Sequence, residues 1–527
     1  MYPQTETRYP YTQTRHSNSD SDSRLDHSYP NCQRARLKAL LSKMSLASAF
    51  LKHYVEYLSA PTILVTLLLV VAPICYAVYN DRSSTGSSTS AQQVPGCRRF
   101  GLPAGQSNLK DQFNLSSSAS STIARVKAIF AYPIKSCRGV QLPASEVQNT
   151  GLKYDRMFTF AQLHSKQDAE DEWRFVTARE VPRLVMLETE LWVPDLRTQS
   201  PKGHVRQVSD DTSKGDRGRS RSRKGTVTLE SAGIDAERRR KLSIPFIAED
   251  WRSNGGCLVI TFSHEPSFNP FGLRTEKVTI RIPLKPTPER AEAKLYTTHD
   301  IKVWKDYPQA TNVTNEIDQA SQDKLKKFLG VNKPLALFRQ DDRQLRHVTR
   351  NLPEHLADGR FRIGFADSYP LHVLNVASVR ALDANLPDDA TLKGCLDASR
   401  FRANIYIEGP PAFDEDTWKR ASFGRCIQPR LDLARGRSAH STEDDDDDSG
   451  PGRAEYMFGC GTSRCTLPNV GPDTGVKDKS EPYKTLMRTR KLDEKQPKAA
   501  FLGMQVIPLF EHGLISVGDE IKVLERS

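Results

Sequence analysis

From Ser121 onward the chain breaks into short runs of β-branched and aromatic residues separated by turn formers, a texture of β-strands and turns. The runs fall at 123–132, 157–163, 174–177, 184–193, 257–262, 278–282 and 404–407. Their spacing predicts a β-rich α+β fold of barrel-like sheets with few helices. Two helices are predicted. Residues 321–330 place Leu325, Phe328 and Leu329 on one face and end at Gly330. Residues 377–386 group Val379, Leu382 and Leu386, stop before Pro387, and have Asn375 as the predicted N-cap.

The first 120 residues read differently. Residues 1–50 are polar, lack apolar periodicity and predict a disordered tail. The uncharged run 61–79, flanked by Tyr54, Tyr57, Tyr76 and Tyr79, is long enough for one membrane crossing at about 1.5 Å per residue. A single-pass anchor is therefore predicted over 51–80, followed by a Ser/Thr/Gly-rich linker over 81–120. Basic residues ahead of the span favour a cytosolic N-terminus. The nine scattered cysteines, without CxxC pairs or zinc spacing, favour a reducing compartment for the large domain. An outer mitochondrial membrane anchor with the large domain facing the cytosol reconciles the two, with another endomembrane as the alternative. A net charge of +12 raises nucleic acid as a partner. Much of the excess sits in a tail and one loop, with no basic module interleaved with aromatics, so nucleic-acid binding is excluded. Residues 202–224 are a basic insertion and 436–453 an acidic one, both predicted as surface loops.

Four segments carry residues suited to holding an anion. Tyr132-Pro-Ile-Lys-Ser-Cys-Arg-Gly139 offers Lys135, Ser136 and Arg138 in a tight turn at a strand end. Gly151-Leu-Lys-Tyr-Asp-Arg156 adds Arg156. Asp367-Ser-Tyr-Pro-Leu-His-Val-Leu-Asn-Val-Ala-Ser378 leads into the second helix, whose first N–H groups suit an anion. Arg400-Phe-Arg-Ala-Asn404 precedes a strand and supplies Arg402 and Asn404. A fifth segment, Ser463-Arg-Cys-Thr-Leu-Pro-Asn-Val-Gly-Pro-Asp-Thr-Gly475, sets Cys465 beside Arg464, where a thiol is favoured as thiolate. Taken singly, each is as readily structural: an ion-paired arginine, a plain N-cap, a buried cysteine.

Taken in order, these segments resemble the MOSC domain family with its N-terminal β-barrel partner, and within it the amidoxime-reducing type of membrane-anchored molybdoenzyme. The resemblance covers residues 121–525 apart from the two insertions and a longer region around 226–300. It implies a MOSC N-terminal β-barrel domain over 121–305, a connecting helical segment over 306–345 and a MOSC β-barrel domain over 346–527. It implies the molybdenum cofactor, Mo-molybdopterin, with Cys465 as metal ligand. Lys135, Ser136 and Arg156 match residues that hold the pterin phosphate. Asn375, Ser378, Arg402 and Asn404 match segments lining the cofactor pocket, and Arg464 would neutralise the thiolate and dithiolene. Asp473, with a catalytic role, and Thr474 lie in the turn beyond the cysteine. Cys460 gains no such role and is expected to be structural.

The implied activity is reduction of small N-hydroxylated molecules, amidoximes or N-oxides. Electrons would come from a b5-type cytochrome and its NADH-dependent reductase. The alternative is a cofactor or sulfur carrier without turnover. Pyridoxal-phosphate binding is a family-level association, and no lysine Schiff-base domain is found upstream.

Overall fold

The computed structural model describes residues 93–113 except 104, 123–195 except 167 and 168, 250–265, 275–348, 361–427 and 452–527 except 495, with 69, 352 and 359 singly. The predicted tail, almost all of the predicted anchor, the basic insertion and nearly all of the acidic one lie outside these residues. Among the described residues no helix is long and apolar enough to cross a membrane.

Alternation of apolar and polar residues builds three main sheets. Thr297–Lys302, Gln309–Asn312, Leu335–Gln340, Phe158–Lys166 and Ala169–Phe175 close into a small barrel. Cys97–Phe100, Glu188–Pro194, Cys257–His264 and Glu276–Pro283 form an antiparallel four-stranded sheet. The largest sheet runs Arg453–Arg464, Ala500–Pro508, Leu371–Asn375, Ile405–Glu408, Ala124–Ala131, Glu520–Arg526 and Trp418–Cys426. Pairing of Trp418–Cys426 with Arg453–Arg464 closes this path into a ring.

Ala124–Ala131 is an N-terminal strand, yet it lies between Ile405–Glu408 and Glu520–Arg526 in the large sheet. The two halves of the chain are therefore interleaved, and one apolar cluster joins Phe160, Leu258 and Phe262 to Val373, Ile405 and Phe423. Such a join sets the segment 132–156 against residues some 250 positions away. Residues 93–113, inside the stretch read as a linker, carry the Cys97–Phe100 strand and a buried Leu109. Gln112 anchors that stretch, accepting from Ala398 N at 2.7 Å.

Both predicted helices form. Gln319–Leu329 is capped by the Asp318 side chain and ends on Gly330 at φ 71°, a conformation glycine takes freely. Val376–Ala384 is capped by Asn375, whose side chain accepts from Ala377 N. The front of the predicted strand 184–193 is instead a 3-10 turn, Pro182–Met186, because Pro182 cannot donate to a ladder.

Candidate functional site

A cavity of about 680 Å³ opens where the small barrel meets the large sheet. Thr177, Arg179 and Trp304 line it from the barrel side. Lys135, Ser136, Arg156, Arg402, Asn404, Arg464 and Cys465 line it from the interleaved strands and their turns. Four segments of the chain thus deliver seven of the residues anticipated from sequence to one place.

Each is held from its own backbone outward. The Lys135 amide donates to Phe158 O at 2.9 Å, fixing the turn. Its buried ammonium donates to Phe365 O at 2.8 Å and to Asp367 Oδ1. Burial pushes the Lys135 pKa down, against the pull of Asp367. Arg156 donates from its amide to Tyr132 O at 2.7 Å and from its guanidinium to Asp155 Oδ2 at 2.5 Å and Arg402 O at 3.3 Å. Asn404 donates to Phe130 O at 3.2 Å and accepts from His372 N at 3.2 Å, tying two strands together.

Arg464 is held most tightly. Its guanidinium donates to Leu502 O at 2.9 and 2.5 Å and to Phe401 O at 3.1 Å, and it lies 2.5 Å from His372 Nε2. Burial lowers its pKa to about 10. Burial and the charges of Arg464 and Arg156 hold His372 well below the usual imidazole range, so it is neutral and accepts through Nε2. Gly503 permits this contact. A Cβ there would lie 2.6 Å from Val373 O and 2.7 Å from His372 Nε2.

Two features mark the cavity as built for a ligand. Among its lining residues are eight lysines or arginines against two aspartates, Asp306 and Asp367. Thr177 Oγ1, Arg402 Nη2 and Thr462 Oγ1 are buried in its wall with no partner among the described residues. Buried polar groups are nearly always satisfied, and each orphan costs about 1–3 kcal/mol. Strain concentrates here too. Ser136, Arg156, Trp304 and Arg402 are four of the seven described non-glycine residues with positive φ. An anion carrying several acceptor oxygens answers both the charge and the missing partners.

Asn375, Ser378, Asp473 and Thr474 stand apart from this cavity. Asn375 lies three positions after His372 on one strand, and side chains alternate, so the two point to opposite faces. It donates to Pro410 O at 3.2 Å and Pro411 O at 2.8 Å. Ser378, one helical turn on, donates to Glu415 Oε1 at 2.7 Å and accepts from Phe413 N at 2.7 Å. Both are fully buried and hold the 410–415 loop. Asp473 pairs with Arg138 and lines a neighbouring cavity of about 590 Å³. Thr474 Oγ1 accepts from Val476 N at 3.3 Å within its own turn.

Residues 123–237 match the MOSC N-terminal beta barrel domain and residues 360–522 the MOSC domain. The chain is a MOSC-domain protein. Mitochondrial amidoxime-reducing component 1 of Danio rerio is 27% identical over 197 residues, 37% of this chain and 50% of that relative. The component 1 protein of Homo sapiens is 28% identical over 184 residues, 34% of this chain and 44% of that relative. Those two alignments span about half the length of the relatives. Mitochondrial amidoxime reducing component 2 of Rattus norvegicus is 22% identical over 407 residues, 76% of this chain and 83% of that relative.

The MOSC domain and its N-terminal partner both contribute to the cavity, and sequence reasoning missed part of each contribution. Thr177 and Arg179 sit in Phe-Val-Thr-Ala-Arg-Glu180, and Asp367 and His372 in the segment leading to the second helix. The second of these segments is marked in the sequence and the first only by its apolar run 174–177, and neither shows which of its residues face inward. Trp304 and Arg346 have no motif to mark them, and Arg400 lies in the marked segment 400–404 without having been singled out. Arg346 donates to Gly364 O at 2.9 Å and Asp306 Oδ2 at 3.1 Å, holding the wall rather than facing it alone.

Proposed function

We propose that this chain is a membrane-anchored, molybdenum-cofactor-dependent oxidoreductase that reduces N-hydroxylated molecules. The observation that carries the reading is the cavity's excess of cations over carboxylates together with its partnerless buried donors and hydroxyls. Lys135, Ser136 and Arg156 would hold the phosphate, Arg402 and Arg464 the remaining negative charge, and Cys465 the metal. When bound, the cofactor supplies two-electron redox chemistry at a metal that takes soft sulfur ligands.

The chain's own residues set the conditions for that chemistry. Arg464, immobilised on two carbonyls, stands next to the free thiol of Cys465 in the chain and would offset negative charge gathered there. His372 stays neutral and adds no charge to a crowded cationic wall. The overall change consumes two electrons and two protons, breaks the N–O bond and releases the oxygen as water. A b5-type cytochrome and its NADH-dependent reductase would supply the electrons. The mitochondrial names of the relatives support a mitochondrial location, and the uncharged run 61–79 would anchor the chain there.

The test is reduction of benzamidoxime by the full chain with cytochrome b5, its reductase and NADH. Benzamidine should form in step with NADH oxidation, and Cys465→Ala should abolish it. A molybdenum-loaded chain that binds its donor yet forms no benzamidine would leave the carrier reading in its place.

A further inference from the structure

Trp304 occupies a position that favours glycine. Val303 and Asp306 exchange backbone hydrogen bonds of 2.9 and 3.0 Å, leaving Trp304-Lys305 as a two-residue turn. Trp304 has φ 58°, whereas Lys305 is not among the positive-φ residues. Positive φ at the first turn position is the pattern that glycine serves in such hairpins. A bulky aromatic there is strained, so its side chain must have a use that outweighs the strain.

The indole is also fixed and presented. Its Nε1 donates to Asp367 Oδ1 at 3.2 Å, and the same oxygen accepts from the Lys135 ammonium. Phe175 meets the ring edge-on at 4.9 Å between centroids, and the Arg179 guanidinium lies 4.7 Å over it. Despite these contacts Trp304 is 41% exposed and lines the cationic cavity. A rigid aromatic surface beside free positive charge is how proteins hold flat, electron-rich rings.

We infer that Trp304 and Arg179 form a stacking ledge, contributed by the small barrel, that takes a planar heteroaromatic ring entering the cavity. The ledge rests on the reading above in one respect: that reading supplies two sources for such a ring, the cofactor's pterin and an aromatic substrate. In either case the small barrel sets ring selectivity while the large sheet supplies the anion grip.

The test is calorimetric titration of the full chain with pterin-6-carboxylic acid as ring probe and inorganic pyrophosphate as ring-free control. Trp304→Gly relaxes φ while deleting the indole, and Trp304→Phe keeps a ring. Ring-probe affinity should fall about tenfold in the glycine variant and less than about threefold in the phenylalanine variant. Pyrophosphate affinity should stay within about twofold in both. Arg179→Gln, at a partly exposed position, should weaken the ring probe about threefold even if the glycine variant folds poorly. Unchanged ring-probe affinity in Trp304→Gly and Arg179→Gln would overturn the ledge.

The two sources separate on purified protein. Loss of bound pterin in Trp304→Gly assigns the ledge to the cofactor. Intact pterin with a raised KM only for aromatic substrates assigns it to the substrate. A chain without molybdenum whose ring-probe binding still depends on Trp304 would keep the ledge and sink the oxidoreductase reading. An active molybdenum enzyme whose ring-probe binding ignores Trp304 would do the reverse.

Discussion

Replacing Arg402 with methionine removes a buried cation while keeping the length of its stem. Arg402 sits 4.3 Å over the Tyr132 ring, with Arg156 4.6 Å over the same ring, so two like charges crowd one aromatic. Its Nη2 is buried without a partner, and burial lowers its pKa, with Arg156 adding to the effect. An orphaned buried donor costs about 1–3 kcal/mol. Its backbone stays at φ 53°, equally strained for either side chain. Without ligand the variant should therefore be more stable by about 1–3 kcal/mol, raising the midpoint by about 2–6 °C at roughly 2 °C per kcal/mol for a long chain. Anion binding should move the other way. A hydrogen bond to a charged group is worth about 1.5–3 kcal/mol, so pyrophosphate affinity should fall about 10- to 150-fold. Thermal melts with and without pyrophosphate measure both terms. A variant that melts lower and binds pyrophosphate as the wild type does would refute the reasoning, because Arg402 would then be a structural cation.

Other perturbations separate structure from site. Ser378→Ala should cost about 1–3 kcal/mol in urea unfolding by depriving the buried Glu415 carboxylate of a donor, with pyrophosphate affinity unchanged. Burial pushes the Glu415 carboxyl up to about 7, so between about 4.5 and 7 the folded chain binds more protons than the unfolded one. Its stabilising contribution is present in acid and is lost as pH rises through 7, and Glu415→Gln should flatten that part of a urea-midpoint profile. His372 acts with the opposite sign: the unfolded chain takes the proton first, so stability falls as pH drops below about 6.5 and His372→Gln should remove that slope. Gly503→Ala should cost at least about 1 kcal/mol and weaken pyrophosphate binding by displacing His372 from Arg464. Wild-type melting and binding in that variant would contradict the packing described.

What was legible follows from the range of the interactions involved. The Gln319–Leu329 helix is local: an aspartate cap, one apolar face and a glycine stop lie within a dozen residues. The cation-bearing turns at Lys135, Arg156 and Arg402 were legible because each sits at a strand end in a marked motif. Their meeting is implied by the family resemblance and not by any local pattern, since it depends on Ala124–Ala131 crossing into the far half's sheet. The family resemblance implies a place for Asn375 and Ser378 in the pocket because their segment enters it. The strand's alternation turns Asn375 away while it turns His372 inward, and Ser378 follows on the helix that Asn375 caps. Trp304 was illegible for a different reason: backbone strain at a residue type that normally avoids it leaves no trace in composition or periodicity.

In the proposed function Cys465 holds molybdenum inside a cationic cavity. Metal and pterin content of the purified full chain test it most directly. The wild type should carry molybdenum and pterin in equal, near-stoichiometric amounts, with molybdenum lost in Cys465→Ala and retained in Cys460→Ala. Undiminished molybdenum in Cys465→Ala would contradict it.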